Sequence, residues 1–576
     1  MAASSPLPVT SLKKDDRVEI FFLKDCYGGN NGPPQDGDPW CPTTGPTFAL
    51  KFPKVMLTEG WLPALVLADW DASKYNPLQR QTWPRVQIVE HQFWTSKKNS
   101  MIDMRLEPQE HHRLIKNIDP HHVRMYCGAP PALSVFMVRW GGHCSVDPTV
   151  EGDGGWGESG ASVSDRYIAN FMDQLHDTVG VGSAAQGGGY EIWSAFVQNT
   201  REVGTLGNYA PGVHCAMRGV HKAGFYYLWP VEWQDSSDPS FAGYVEGQSL
   251  IELMKSFEGE GIYTRFPYNS HLYSVIAAKT WQAQLSVFPE LHIPTTTKMS
   301  RVQILSDPRR AAQVAMDSLE TLRKAKANWA GAGPAEKGDG QPITAGMVKL
   351  GWSWEGTSVW KFDGVDQLAY QLSHGLLQAG LFGEAVMIQE YVTFDFEMRF
   401  FVIGDIALVS GDAGECISPA HITYNRWNRI DAEGKPREFE KLTKNRILSE
   451  IWSQDSVALD NAHKTGSQIV TKILYWLRTE CAEPPTVLRV DFMVKRTGPG
   501  TSRVMLGELT ELGACCLGWD EGPRLVNDAV IRSCFNAKPD MPVPLAAYSK
   551  TAPTGHRFGQ APTTGKKGYK GQTNGY

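Results

Sequence analysis

One segment in the second half of the chain places two opposite charges in an otherwise apolar strand. In Phe396–Ile403, Glu397 and Arg399 alternate with Met398 and Phe400. Successive side chains of a strand point to opposite faces, so Glu397 and Arg399 share one face. From the residues alone, the pair is either part of a charged site or a cross-strand salt bridge on a solvated surface.

Two further predicted strands form a hairpin, and each carries a carboxylate among apolar residues. Asp491 follows Arg489 in 486–494, and Glu508 lies in the returning strand 503–513. Because isolated carboxylates are costly to bury, two acids in adjacent apolar strands suggest a shared cation, and an all-oxygen ligand set suits Mg2+. The alternative is that both acids lie at strand ends in water.

A lysine beside a glycine-containing loop precedes these strands. Lys349 ends a short apolar run, and residues 351–358 follow with two glycines and two serines. An ammonium group and several backbone N–H groups in such a loop can surround phosphate oxygens. The loop lacks the Gly-Lys-Ser/Thr ending of a P-loop, and a simple turn between strands remains the alternative.

The elements around these residues follow a regular order. The pattern predicts a helix over Val365–Leu377, a strand over Ala385–Val392 and a long helix over Ala458–Thr479. The texture of the chain changes near residue 260 from short β-like runs with Gly/Pro turns to long periodic helices and clean strands. We therefore predict an N-terminal region over 1–260, a second domain over 261–540 and a flexible tail over 541–576.

Composition excludes several classes of protein. The chain has 576 residues, of which 42% are hydrophobic and 20% charged, which is enough for a large buried core. Its formal charge of -6, without a long basic run, argues against nucleic acid as a partner. The absence of about 20 consecutive apolar residues argues against a membrane partner. Ten sparse cysteines fit a reducing compartment, and we expect a cytoplasmic protein.

The order of these segments along the chain resembles that of the ATP-grasp superfamily. The segments are the lysine, the Gly-containing loop, the Gln-Glu-Tyr-Val strand, the Glu-x-Arg strand, the Arg-Val-Asp-Phe strand and the Gly-Glu-Leu-Thr-Glu strand. The resemblance covers approximately residues 265–530. Within the superfamily, the chain resembles the ligases that join a carboxylate to an amine or a thiol. It implies an α+β, α/β chain in which two α+β lobes with antiparallel sheets hold ATP between them. A large N-terminal α/β region would precede the lobes and supply part of the acceptor site.

The resemblance also implies roles for individual residues. The nucleotide would be bound by two lysines, by residues of the loop, by a hinge segment that contacts adenine and by an acid that binds the ribose hydroxyls. These residues are Lys279, Lys349, Gly351, Ser353, Gly356, Thr357, Ser358, Gln389, Glu390, Tyr391, Val392 and Glu397. A surface helix lysine is the alternative for Lys279. Mg2+, or Mn2+ in its place, would be held by Asp491, Glu508, Thr510 and Glu511, although Thr510 stands where the family has Asn. Arg489 and Arg399 would act in catalysis.

The activity implied is ATP-dependent ligation of a carboxylate to an amine or thiol through an acylphosphate. The acid would be a small molecule, an amino acid or a peptide. Two alternatives keep the nucleotide fold: a kinase that phosphorylates a hydroxyl, and a non-catalytic ATP-binding regulator. A third alternative is a covalent nucleotidyltransferase, because Lys361-Phe-Asp-Gly364 spells the Lys-x-Asp-Gly motif. Without convincing partner motifs, we interpret this tetrapeptide as a strand end and turn.

Overall fold

The structure is a computed structural model that describes residues 7–23, 55–88, 92–95, 100–103, 115–126, 128–140, 171–172, 174–179, 189–197, 200–228, 245–277, 279–328, 342–351, 359–378, 385–403, 417–427, 439–481, 485–510 and 519–536. The predicted tail, 541–576, lies outside these residues. No helix in the described parts of the chain is both long and apolar enough to span a membrane.

The N-terminal region is built on a large mixed sheet, beside which β1 pairs with β4 and β6 pairs with β7. The strands of the region are β1 (Ser11–Leu12), β2 (Arg17–Leu23), β3 (Val55–Val66), β4 (Trp70–Asp71), β5 (Arg85–Ile88), β6 (Gln92–Thr95), β7 (Ser100–Asp103), β8 (Ile115–Asn117), β9 (Val123–Met125), β10 (Leu133–Trp140), β11 (Tyr190–Val197), β12 (His221–Tyr227) and β13 (Tyr263–Phe266). Its α-helices include α1 (Thr200–Gly207), α2 (Ala210–Ala216) and α3 (Gly247–Gly259). Short 3-10 helices cover Ala72–Lys74, Arg80–Thr82 and Pro120–His122.

The large sheet of this region has the strand order β13-β12-β10-β11-β3-β2-β9, with β5 beside β3 and β8 beside β5. Strands β10 to β13 pair in parallel, and the other pairs are antiparallel. Parallel strands need crossover connections, and α1, α2 and α3 lie between β11 and β13. The predicted domain boundary at residue 260 therefore lies just before a strand that pairs with this sheet.

The next unit, here called the first lobe, surrounds a four-stranded antiparallel sheet of order β14-β17-β15-β16. Its elements are α4 (Ser270–Ile276), α5 (Trp281–Leu285), the 3-10 helix Pro289–Leu291, β14 (Thr296–Ser300), α6 (Arg301–Ser306), α7 (Pro308–Ala327), β15 (Ala345–Leu350), β16 (Val359–Asp363), α8 (Gly364–Gln378) and β17 (Ala385–Glu390). Apolar residues of α6, α7 and α8 pack on one face of the sheet, which leaves the other face for polar side chains.

The second lobe surrounds a five-stranded antiparallel sheet of order β20-β19-β18-β21-β22. Its elements are β18 (Phe396–Ile403), β19 (His421–Trp427), β20 (Phe439–Leu442), α9 (Lys444–Arg446), the π-helix Ile447–Ile451, α10 (Ser456–Glu480), β21 (Val487–Gly498), β22 (Thr501–Thr510) and α11 (Gly522–Ser533). Helix α10 lies so close to the sheet that a Cβ on Gly466 would be 2.9 Å from the Phe400 ring.

The predicted fold class is confirmed. Two α+β lobes with antiparallel sheets follow an N-terminal region in which helices and parallel strands alternate. The predicted helices over 365–377 and 458–479 correspond to α8 and α10, and the charged strand over 396–403 is β18. These elements were predictable because their apolar residues repeat with helical or strand spacing over long runs.

Candidate functional site

One face of the second-lobe sheet carries the predicted charged residues. In β21 the even-numbered residues Leu488, Val490, Phe492 and Val494 are fully buried in the core. Arg489 and Asp491 therefore point to the opposite face, and Arg399 of β18 is the direct cross-strand partner of Asp491. The prediction that alternation groups the charges of β18 on one face is confirmed, since Met398 and Phe400 lie in the core.

Glu508 reaches this face through a β-bulge. Asp491 pairs with Glu508, whereas Phe492 pairs with Leu506, so Gly507 is an extra residue in β22. Leu506 and Leu509 are both buried, which shows that the inward-facing side of the strand changes across the bulge. If Gly507 took part in regular alternation, Glu508 would share the core face with Leu506. The bulge turns its carboxylate toward the charged face instead.

Asp491 is held by two arginines. Arg489 donates from Nε to Oδ1 and from Nη2 to Oδ2, both at 2.9 Å. The Nε atom of Arg399 lies 3.4 Å from Oδ2. All three side chains are at most 10% exposed, so little water screens these charges. The bidentate pair fixes the orientation of the Asp491 carboxylate.

The network of charges continues on both sides of Asp491. Arg489 Nη2 also donates to the hydroxyl of Thr510 at 3.2 Å. On the other side, Arg399 Nη2 donates to Glu397 Oε2 at 3.1 Å. The structure therefore joins five predicted site residues into one continuous polar surface.

Two lysines from outside the second-lobe sheet reach the same region. Lys279, which lies between α4 and α5 with a left-handed φ of 55°, places its Nζ 2.9 Å from Glu508 Oε1. Lys349 of β15 donates from Nζ to Gln389 Oε1 at 2.7 Å. Its strand neighbours Val348 and Leu350 are buried in the first-lobe core, so Lys349 points away from that core. The ammonium of Lys279 thus contacts an acid of the second lobe, while that of Lys349 contacts a residue of the first.

The pKa values of two of these groups are shifted by their surroundings. Burial, followed by repulsion from Lys279, lowers the pKa of Lys349 from 10.5 to about 8, although Glu508 and Glu397 act in the opposite direction. For Glu508, burial raises the pKa. The positive charges of Lys279, Arg489 and Lys349 outweigh burial and hold the pKa well below its usual range. Glu508 is therefore ionised at neutral pH.

The predicted adenine hinge connects the two lobes. The backbone N–H of Glu390 donates to Thr295 O at 2.9 Å, and Glu390 Oε1 accepts from Thr295 N at 2.7 Å. The N–H of Tyr391 donates to Ala345 O at 3.1 Å. These bonds hold the strand end against its neighbours. Val392 follows at the connection to the second lobe.

Five predicted site residues lie outside the described part of the chain. Gly351 is the last described residue after β15, whereas Ser353, Gly356, Thr357, Ser358 and Glu511 lie outside the described residues.

The Lys-x-Asp-Gly segment lies at the end of β16. Strand β16 ends at Asp363, and α8 begins at Gly364 with a φ of 78°. The Lys-x-Asp-Gly segment is thus a strand end, as predicted, but the start of a helix follows it directly in place of the predicted turn. The Nζ of Lys361 lies 4.5 Å from the centre of the exposed Tyr391 ring.

The donors of the charged face fit a hard cation that is shared with a substrate. Within the described residues, no group of three or more His, Cys, Asp or Glu side chains is arranged to hold a metal ion. Mg2+ commonly takes only one or two protein carboxylates and completes its shell with water and phosphate oxygens. Asp491 and Glu508, on directly paired residues beside the Thr510 hydroxyl, provide such an oxygen set.

Sequence reasoning missed Gln282, which lies at the centre of the contact between the lobes. This residue of α5 is 1% exposed, donates from Nε2 to Gly507 O at 2.9 Å, and accepts from Gln389 Nε2 at 3.4 Å. No motif marked it. A glutamine in a short apolar helix has no sequence signal of its own, because its importance depends on two partners distant in the chain.

Comparison with known proteins finds structural likeness alone. No family model matches the chain, and no curated protein matches it. Among solved structures, the chain resembles D-alanyl-alanine synthetase A from Vibrio cholerae (TM-score 0.38, 11% identity, covering 70% of this chain and 97% of that one). It also resembles D-alanine–D-alanine ligase from Bacillus anthracis complexed with ATP (TM-score 0.37, 13% identity, 70% and 97% covered).

A third likeness is to a RimK domain ATP-grasp protein from Sphaerobacter thermophilus (TM-score 0.30, 12% identity, 58% and 95% covered). Every one of these TM-scores lies below 0.5, so the function is inferred from the geometry of the charged face and the lysines opposite it.

Proposed function

We propose that this chain is an ATP-dependent carboxylate–amine, or carboxylate–thiol, ligase of the ATP-grasp type. The observation that carries the proposal is the meeting of opposite charges in the cleft: Lys279, between α4 and α5, contacts Glu508 of the second lobe at 2.9 Å. Lys349 lies near enough for Glu508 to influence its pKa. Cations from one lobe and acids from the other are what a metal–triphosphate complex requires.

We assign the nucleotide to the cleft between these two surfaces. Lys279 and Lys349 would neutralise phosphate oxygens, together with the loop that follows Gly351. Glu390, Tyr391 and Val392 would contact the adenine edge, and Glu397 would accept from the ribose hydroxyls. The positions of these residues in the sheet support the assignment. Glu390 is the last residue of β17, Tyr391 and Val392 follow it, and β17 pairs directly with β15, the strand of Lys349.

Asp491, Glu508 and Thr510 are the residues that would hold Mg2+, with Glu511 as a further candidate. When bound, the ion would neutralise phosphate charge and orient the transferred group. Asp491 and Glu508 are paired directly across β21 and β22, which keeps their carboxylates on the same part of the sheet. The low pKa of Glu508 keeps this ligand in the anionic form that a cation needs.

The reaction divides into two transfers. First, a carboxylate oxygen of the acid attacks the γ-phosphorus of ATP, the bond to the β–γ bridging oxygen breaks, and ADP leaves. The amine or thiol then attacks the acyl carbon and loses its proton to solvent, the acyl carbon–oxygen bond breaks, and inorganic phosphate leaves with the bonding electron pair. Neither step needs a protein nucleophile, since positioning and charge neutralisation lower the barrier. Arg399 and Arg489 would stabilise the charge that grows on the transferred oxygens.

The test is a screen for ADP and phosphate release with pooled carboxylic acids, amino acids and amines. Asp491→Asn and Glu508→Gln should each lower Mg2+-dependent turnover by about a hundredfold or more. The matched control is Asp460→Asn, a change to an exposed acid of α10 that should leave turnover unchanged. Full turnover in both cleft variants would contradict the metal assignment.

The same screen distinguishes the other functions. ATP consumption with phosphate retained on a hydroxyl compound would identify a kinase, and ATP binding without turnover would identify a regulator. A covalent adduct between nucleotide and Lys361 would identify a nucleotidyltransferase. Each of these outcomes would contradict the ligase proposal.

A further inference from the structure

Gln282 is a fully buried polar side chain at the contact between the two lobes. It lies on α5 and is 1% exposed. Its Nε2 donates to the carbonyl of Gly507, the bulge residue of β22, at 2.9 Å. A buried amide without partners would be costly, so both ends of this side chain contribute to holding it in place.

The other end of Gln282 continues a chain of hydrogen bonds that leads to Lys349. Lys349 Nζ donates to Gln389 Oε1 at 2.7 Å, and Gln389 Nε2 donates to Gln282 Oε1 at 3.4 Å. Together with the bond from Gln282 to Gly507, these hydrogen bonds run from Lys349 in the first lobe to β22 in the second. The chain ends on the residue immediately before Glu508 and so connects a cation with the strand that carries an acid.

Helix α5 contacts both lobes: Trp281 and Leu285 pack in the core that includes the second-lobe sheet, and the C-terminal end of the helix is hydrogen-bonded to the first-lobe sheet. The hydroxyl of Ser286 donates to Thr296 O at 3.1 Å and accepts from Thr296 N at 3.2 Å. At the other end of the helix, the backbone of Gln282 donates to Lys279 O at 3.1 Å. The segment from Lys279 to Ser286 therefore joins the two lobes, and its Lys279 and Gln282 side chains contact β22 of the second lobe.

We propose that Gln282 is a positioning residue that sets the placement of Lys349 relative to the Gly507 bulge, and thereby of the lysines relative to Glu508. The inference rests on the proposed function, since it concerns the cleft assigned to ATP. Gln282 acts through Gln389 and Gly507 and needs no contact with the nucleotide. Its removal should weaken ATP binding because the two lobes would no longer share this hydrogen-bonded connection.

The experiment compares Gln282→Met with Gln284→Met by calorimetric titration of the full chain with ATP and Mg2+. Methionine has nearly the same length but makes neither hydrogen bond. Gln284 lies on the same helix and is exposed, which makes it a matched control. Loss of the hydrogen bond to Gly507, together with the longer contact with Gln389, predicts ATP binding about tenfold weaker for Gln282→Met and unchanged for Gln284→Met.

A double-mutant cycle separates positioning from general destabilisation. The effect of Lys349→Met on ATP affinity should be at least several-fold smaller in the Gln282→Met background, because Lys349 is then no longer held in place. Independent, multiplicative effects would overturn the inference. So would equal ATP affinity of Gln282→Met and wild type.

Two further results keep the outcomes distinct. Wild-type protein that does not bind ATP would contradict the proposed function itself. If Gln282→Met does not fold, the decision passes to Gln282→Asn, which keeps the amide but is one methylene too short to reach both partners. Asparagine at this position should also weaken ATP binding about tenfold, and unchanged binding would overturn the inference.

Discussion

Lys349 offers a prediction in which stability and function change in opposite directions. Its pKa is lowered from 10.5 to about 8, first by burial and then by Lys279. A shift of this size corresponds to roughly 3 kcal/mol of unfavourable free energy for the ammonium in the folded protein. Replacement by methionine removes this cost and also the hydrogen bond from the charged ammonium to Gln389, which is worth about 1.5–3 kcal/mol. Lys349→Met should therefore be more stable at pH 7 by roughly 1 kcal/mol.

The sign of the pH dependence follows from proton binding. Below pH 8 the lysine is protonated in both the folded and the unfolded chain. Between about 8 and 10.5, the unfolded chain binds more protons, so the free energy of unfolding of the wild type gains from this group as the pH rises. Lys349→Met lacks that gain. Its advantage in stability should therefore shrink between pH 8 and 10.

Urea unfolding at pH 7, 8, 9 and 10, followed by tryptophan fluorescence, measures the difference. Lys298→Met is the matched control, because this lysine is an exposed residue of β14 in the same sheet. ATP titrations at the same pH values complete the test: wild-type affinity should fall above pH 8, while Lys349→Met should bind weakly at every pH. If the stability difference between wild type and Lys349→Met were the same at pH 7 and pH 10, the reasoning about this ammonium would be wrong.

Two other predictions concern the second lobe. Arg489→Met should lower the free energy of unfolding, measured with urea, by about 3 kcal/mol, because it removes a bidentate partner from the buried Asp491. In the control Arg532→Met, which breaks an exposed ion pair, the free energy of unfolding should fall by less than about 1 kcal/mol. Gly507→Ala should weaken Mg2+-dependent ATP binding, since its Cβ would lie 3.3 Å from Asp491 O, while Gly259→Ala, with no atom within 4 Å of its Cβ, should not alter binding. A wild-type affinity for Gly507→Ala would contradict the role given to the bulge.

The sequence was informative wherever a periodic pattern and a charge coincided. In β18, strict alternation predicted that Glu397 and Arg399 share a face, and they do. Physical reasoning from spacing could not reveal that Arg399 would also lie 3.4 Å from Asp491, a residue 92 positions later. That contact depends on the pairing of β18 with β21, which a single sequence does not specify.

The bulge at Gly507 illustrates a second limit. Regular alternation in β22 would place Glu508 on the same face as the buried Leu506, in the core. The extra residue that prevents this arises from the pairing of β22 with β21. A glycine in a strand hints at such a bulge, but the face of the following acid is decided only when both strands are aligned.

The charged face between the lobes is itself an argument for function. Replacing a buried ion pair by well-packed apolar residues is often neutral or stabilising, so such pairs are a poor means of gaining stability. Here Arg399, Asp491 and Arg489 are buried together, and Lys349 carries a strongly lowered pKa. Charges that cost stability in the free protein are useful when a ligand of high charge replaces the missing solvent. A metal–triphosphate complex, which carries acceptors for the lysines and arginines and a cation for the carboxylates, satisfies both halves of the site at once.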